Sequence, residues 1–350
     1  MKTGIIGLPQ VGKTSLFSML TGAEVNLARR EDRVGIATVP DARLDRLADL
    51  FHPRKLTHAV IELAEVGSLT PESLRDGTGI AALRTVDALA QVVRAFELDA
   101  GASPAADVRN LEFDMIVSDL GQVEKRRERV AKDMKKQRTP ALVQEAAILE
   151  RMQAHLEAEK PLRTLKLEAD EEKATRGFQF LSQKPILYLL NVSESEAAEM
   201  DGAVPRHGLE AALASPNTGA TAICAKIEAE IAGLPEQEAA EFLAGYGLRE
   251  SGLARVAQAI YRLLGLISFF TAGEDECRAW TIARGTPAVA AAGAIHTDLS
   301  KHFIRAEVIG WQELLDFGSE AAARAQGKLR LEGKDYIVQD GEVMHIRHSG

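Results

Sequence analysis

Apolar and polar positions alternate along this 350-residue chain with two different periods. Gly4-Ile5-Ile6 is a short apolar run bounded by glycines and reads as a buried strand. Similar runs stand at Gly35 to Val39, Ala59 to Ala64, Ala90 to Phe96 and Pro185 to Asn191. Between them apolar residues return at helical spacing, at Ser15 to Leu20, Asp41 to Phe51, Gly79 to Asp87 and Leu209 to Leu213. Strands alternating with helices predict an α/β fold around a parallel sheet.

Two longer helices interrupt this pattern. From Ile116 to Arg138, Leu120, Val123, Val130 and Met134 fall near a heptad seam. Arg138-Thr139-Pro140 breaks the run, and Leu142, Leu149, Met152 and Leu156 continue on a second seam. The pair predicts an antiparallel helical hairpin, inserted ahead of the strand at Ile186 to Leu190. From about Leu266 the character changes to short strands at Phe269 to Thr271, Ala279 to Ile282 and Phe303 to Ile309. Near the end, Asp340-Gly341 lies between two β-rich runs, Tyr336 to Val338 and Val343 to Ile346, and predicts a tight hairpin.

Composition narrows the function. Apolar residues make up 46% and charged residues 27%, an ordinary soluble balance. With 42 basic and 51 acidic side chains the net charge is −9, which excludes a globally basic nucleic-acid coat but not a local patch. Cys224 and Cys277 are too few and too far apart for a disulfide framework or a zinc site, which fits a reducing cytosol. The N-terminus runs straight into a glycine-rich motif and leaves no room for a secretory signal. No apolar stretch approaches the ~18 residues of a membrane helix. The expectation is a cytoplasmic protein without a membrane partner.

The strongest motif is Gly7-Leu8-Pro9-Gln10-Val11-Gly12-Lys13-Thr14, which fits G-x-x-x-x-G-K-[ST] with a strand before it and a helix after it. Such a loop turns successive backbone N–H groups toward phosphates, and the following helix adds its positive end. Pro9, Gln10, Val11, Gly12, Lys13, Thr14 and Ser15 are therefore the expected phosphate cradle for ATP or GTP. Lys13 would bridge the β- and γ-phosphates and Thr14 would ligate Mg²⁺.

The loop and its flanks, Gly4 to Phe17, closely resemble those of the YchF subfamily of Obg-like ATPases. The likeness continues through Pro40-Asp41-Ala42-Arg43-Leu44 and the helical hairpin. It is densest near the C-terminus, in Phe270-Thr271-Ala272-Gly273, Arg278-Ala279-Trp280-Thr281-Ile282 and Ala294-Ile295-His296-Thr297-Asp298, then in Phe303 to Glu307 and Glu332 to Tyr336. The resemblance implies a P-loop G domain in two segments (1–117 and 184–265), an inserted coiled-coil hairpin (118–183) and a C-terminal TGS domain of β-grasp form (266–350). It also implies preference for ATP and association with the ribosome or ribosomal RNA, through the hairpin and the TGS domain. Lys125, Arg126, Arg127, Arg129, Lys132, Lys135, Lys136 and Arg138 crowd the first hairpin helix. They read either as a solvated face or as a contact for RNA phosphates.

GTPases of this class carry N-K-x-D after a strand; here Asn191-Val192-Ser193-Glu194 stands there, without the lysine and with a longer acid. Asn191 can pair with adenine N6 and N7 as asparagine does on nucleic acid. Asn191, Val192 and Glu194 form the expected base side, with the backbone of Ala225 in Cys224-Ala225-Lys226. Asn191 as a strand-end cap and Glu194 as a surface carboxylate is the structural alternative.

The switch residues depart from the family pattern. A gap-free alignment from Pro40 places the switch II acid on Glu65 and its glycine on Ser68, and the switch I threonine on Arg29. The loop Glu97 to Pro104 contains no histidine, where the resemblance implies a catalytic one. Lys13 and Glu65 are the remaining catalytic candidates. Three functions stay open: a weak Mg²⁺-dependent ATPase that regulates translation, a nucleotide-gated module without hydrolysis, and a true GTPase.

Overall fold

In a computed structural model, residues 1–23, 33–67, 69, 80–97, 102–248 and 250–349 are described. They form two compact units, Met1–Gly35 with Glu62–Leu263 and Ile36–Ile61 with Leu264–Gly350.

The first seven strands are β1 (Lys2–Ile6), β2 (Arg33–Val39), β3 (Lys55–Thr57), β4 (Ala59–Glu65), β5 (Ala88–Ala95), β6 (Ile186–Val192) and β7 (Thr218–Ile223). All but β3 form one sheet of order β2-β4-β1-β5-β6-β7. β1 pairs in parallel with β4 and β5, β5 with β6, and β6 with β7. Every residue of β6 is buried, as expected of an apolar strand covered on both faces. The sequence pattern does not announce β7, because the glycine and two alanines of Thr-Gly-Ala-Thr-Ala-Ile break up its β-branched residues.

Helices α1 (Lys13–Thr21) and α2 (Ala42–Phe51) match the sequence periodicity. The hairpin is α3 (Pro104–Lys136) and α4 (Pro140–Glu157). Each starts with proline in its first turn, behind a hydroxyl cap. Ser103 Oγ accepts from Ala106 N–H at 3.3 Å, and Thr139 Oγ1 accepts from Leu142 N–H at 3.3 Å. α3 therefore begins well before Ile116. The seam pattern starts late because α3 serves two cores. Its first turns bury Val108, Leu111 and Met115 with the sheet residues Tyr188 and Leu190. Its later turns bury Val123 and Val130 with Leu149, Met152 and Leu156 of α4. The buried carboxylate of Asp119 sits where the two cores meet. It accepts from the N–H groups of Leu181 (3.0 Å) and Ser182 (2.7 Å) and from Ser182 Oγ (2.7 Å).

The second unit contains β8 (Leu266–Thr271), β9 (Glu276–Ala283), β10 (Phe303–Gly310), β11 (Arg330–Glu332) and β12 (Glu342–His348). Its sheet has the order β11-β10-β12-β8-β9-β3. β8 and β9 are antiparallel, β10 and β12 are antiparallel, and β12 lies parallel to β8. This is the expected β-grasp arrangement. The tight hairpin expected at Asp340-Gly341 is not formed. Residues 336–338 contribute only an isolated bridge from Ile337 to Pro287. The turn instead fixes the start of β12 against β8. Gly341, at φ +87°, donates its N–H to Ser268 O at 2.8 Å. Asp340 Oδ1 accepts from Ser268 N–H at 3.0 Å, and its carboxylate pairs with Arg43 of α2 at 2.9 Å. Asp340-Gly341 forms a turn, as its chemistry predicts, but the turn's partner is a strand distant in sequence.

Candidate functional site

The registers Ile5↔Glu65, Ala95↔Val192 and Asn191↔Ile223 bring the carboxyl ends of β1, β4, β5, β6 and β7 to one edge of the sheet. Open α/β sheets bind ligands at such an edge. The loop from Gly7 to Gly12 leaves β1 there and enters α1 at Lys13. Gly12 has φ +100°, and a Cβ on it would lie 2.7 Å from Asn191 Nδ2, so only glycine fits. It has no side chain to cap α1, and no acidic residue stands in the first turn. The start of α1 therefore carries no side-chain cap, and its positive end suits an anion.

The Lys13 side chain is folded back into this loop. Its Nζ donates to Gly7 O at 3.0 Å and Leu8 O at 2.7 Å. Burial pushes its pKa down to about 8, with the carboxylate of Glu65 opposing the shift. Thr14 Oγ1 donates to Glu65 Oε1 at 2.5 Å. The other oxygen of Glu65 accepts from Arg33, at 2.8 Å from Nε and 2.6 Å from Nη2. The Arg33 guanidinium rests over the Phe17 ring at 4.9 Å from its centroid, and Nη2 is 3.4 Å from Ser18 Oγ. Sequence reasoning missed Arg33. It is the first residue of β2 and its partner lies 32 positions away, so no local spacing announces the pair.

Asn191 is buried and its carboxamide is engaged at both ends. Nδ2 donates to Val11 O at 3.1 Å, and Oδ1 accepts from Ala225 N–H at 3.0 Å. The residue ties the phosphate loop to the turn after β7. Val192 is buried in β6. Glu194 pairs with Lys226 at 2.5 Å, and the pair raises the Lys226 pKa. Pro9, Gln10 and Ser15 are exposed, while Val11 is buried. Arg29, Arg30, Ser68 and residues 98–101 lie outside the described residues.

Thr14 and Glu65 offer the hard oxygen donors that Mg²⁺ takes, and Mg²⁺ commonly fills its other positions with water and phosphate oxygens. The two residues therefore fit that ion. Among the described residues no group of three or more His, Cys, Asp or Glu is placed to hold a metal by itself.

On the hairpin, Arg126 pairs with Glu145 at 2.6 Å and Arg127 bonds Gln153. Lys125, Arg129, Lys132, Lys135 and Arg138 are exposed. No helix among the described residues is long and apolar enough to cross a membrane.

This edge, with its glycine loop and buried lysine, defines a P-loop α/β protein that carries a helical insertion and a second mixed-sheet unit. A domain family of YchF-type GTPase C-termini, described as a protein of unknown function (DUF933), matches residues 266–349. The ribosome-binding ATPase YchF of Bacillus subtilis (strain 168) is 40% identical, with 99% of each chain covered. That of Escherichia coli O157:H7 is 38% identical, covering 99% of this chain and 98% of its own. The solved structure of the Schizosaccharomyces pombe YchF GTPase superposes with a TM-score of 0.82 at 28% identity, over 99% of this chain and 97% of that one. The chain belongs to the YchF family.

Proposed function

We propose that this chain is a cytoplasmic, ribosome-associated regulator that binds ATP in preference to GTP and hydrolyses it slowly with Mg²⁺. The observation that carries the proposal is the buried Lys13 ammonium, held on the carbonyls of Gly7 and Leu8 beside the uncapped start of α1. A polyphosphate is the ligand that this charge and these N–H groups suit. On binding, Lys13 would exchange the two carbonyls for β- and γ-phosphate oxygens, and the α1 N–H groups would hold the phosphates nearest the loop. Thr14 and Glu65 would hold Mg²⁺, which supplies charge neutralisation at the γ-phosphate. Asn191 would keep the phosphate loop and the Ala225 turn at a fixed separation on either side of the base.

Preference for ATP rests on the base-side segment. Glu194, which pairs with Lys226, stands as a longer acid where N-K-x-D proteins carry the aspartate that reads guanine. The relatives' names attach ATPase activity to the bacterial proteins and GTPase to the fission yeast one. Competition of ATP and GTP for the wild-type chain tests the preference. Tighter binding of GTP would reject it.

Slow turnover is supported by Arg33, whose guanidinium neutralises the switch II acid. The same observation favours a second reading, a nucleotide-gated binding module without hydrolysis. Either version would contact ribosomal RNA through the exposed Lys125, Arg129, Lys132 and Lys135 and through the C-terminal TGS domain. Co-sedimentation with ribosomes, with the four hairpin residues replaced by glutamine, tests the contact. Undiminished binding by that variant would remove the hairpin from the interface.

A further inference from the structure

We infer that Arg33 is a built-in counter-cation for Glu65 that competes with Mg²⁺ and makes nucleotide binding by this chain unusually independent of the metal. The inference rests on the proposal that a nucleotide occupies the P loop.

Thr14 Oγ1 and Glu65 Oε1 are joined by a hydrogen bond of 2.5 Å, which a divalent cation taking both oxygens would replace. The second oxygen of Glu65 is already covered by a two-nitrogen contact from Arg33, at 2.8 and 2.6 Å. Both nitrogens converge on that one oxygen, charge-assisted contacts of this kind are stronger than neutral ones, and both side chains are mostly buried, at 17% and 13% exposure. The arginine is also held from below, over Phe17 and beside Ser18 on α1. A guanidinium placed by three neighbours in this way is part of the fold of the site.

Two electrostatic effects then act in the same direction. Without metal, Arg33 cancels the negative charge of Glu65, which would otherwise repel incoming phosphates. With metal, the guanidinium repels a second cation approaching the same carboxylate. The first effect strengthens metal-free binding and the second weakens the gain from Mg²⁺. Both shrink the ratio of the dissociation constant without Mg²⁺ to that with it. Removing the positive charge should reverse both.

The experiment is isothermal titration with the non-hydrolysable ATP analogue AMPPNP, in excess MgCl₂ and in excess EDTA. It compares the wild type, Arg33→Met, Arg33→Lys, Glu65→Gln and the Arg33→Met/Glu65→Gln double variant, each checked for an unchanged melting temperature. Methionine keeps an apolar stem over Phe17 without the charge. Arg33→Met is expected to raise the ratio by about tenfold or more, within the usual range of coupling between two ligands. Arg33→Lys, which retains a cation, should bring the ratio most of the way back to wild type. In the Glu65→Gln background the Arg33→Met change should have a smaller effect, because competition for the shared carboxylate is gone and only through-space repulsion between the guanidinium and Mg²⁺ remains. A ratio for Arg33→Met within about twofold of wild type would overturn the inference while leaving nucleotide binding intact. So would failure of lysine to restore the ratio. No binding by the wild type in either buffer would overturn the P-loop proposal itself.

Discussion

Replacing Asn191 by alanine tests whether this residue braces the site or reads the base. The side chain makes one bond to Val11 O at 3.1 Å and one from Ala225 N–H at 3.0 Å, and it is 6% exposed. Truncation leaves a buried acceptor, Val11 O, and a part-buried donor, Ala225 N–H, without partners. Each orphaned group costs about 1–3 kcal/mol, so together they should destabilise this edge by about 2–4 kcal/mol after local relaxation. That corresponds to a fall of about 30- to 1000-fold in hydrogen-exchange protection at the Ala225 amide. In the proposed nucleotide site the two loops it joins would lie on different sides of the ligand, so ATP and GTP should lose affinity together. Hydrogen exchange read at Ala225, with parallel titrations of both nucleotides, measures each consequence. Unchanged protection at Ala225 combined with selective loss of ATP would refute the bracing role and make Asn191 an adenine reader.

Three further outcomes are expected. Lys13 has a pKa near 8 in the free protein, and a bound polyphosphate should raise it. Binding should therefore take up a proton at pH values above 8, and affinity should fall as pH rises through that region; titrations in buffers of different ionisation enthalpy measure the uptake, and equal apparent enthalpies would contradict it. In the free protein the sign for stability is the opposite. The unfolded chain binds the Lys13 proton more tightly, so stability gains from rising pH between about 8 and 10.5. Met152→Ala should cost about 2–5 kcal/mol of hairpin stability, because its side chain is fully buried between α3 and α4; a loss well under 1 kcal/mol would mean the seam is loosely packed. Single-turnover hydrolysis of ATP should be slower than in a relative with the unaltered switch residues, since Glu65 is both lengthened and paired with Arg33; equal rates would show that these positions do not limit the chemistry.

Elements with a strong period or a chemical signature were legible in the sequence. β1, the P loop and α1 carry a motif whose spacing is set by the phosphate geometry, and the hairpin carries two heptad seams. β7 was hidden because small residues suffice between β6 and the helix Gly252–Leu263. The start of α3 was hidden because its first turns answer to a different core from its last. Asp340-Gly341 announced a turn, but the strand it docks on, β8, is set by tertiary pairing that no short window contains. The same limit applies to the site. Lys13 and Thr14 could be placed from the motif alone. Arg33, the two-sided engagement of Asn191 and the Glu194–Lys226 pair all depend on strands distant in sequence being brought to one edge.

The most direct test of nucleotide binding at this edge is calorimetric titration of ATP into the wild type and Lys13→Ala, with thermal unfolding as a check on folding. Removing Lys13 deletes the ammonium that would leave the Gly7 and Leu8 carbonyls for the phosphates and leaves the surrounding backbone in place. The expected result is saturable binding to the wild type and a loss of at least about 100-fold in affinity, roughly 2.7 kcal/mol, for a folded Lys13→Ala. Equal affinity in the two proteins would contradict the assignment of this loop as the nucleotide site.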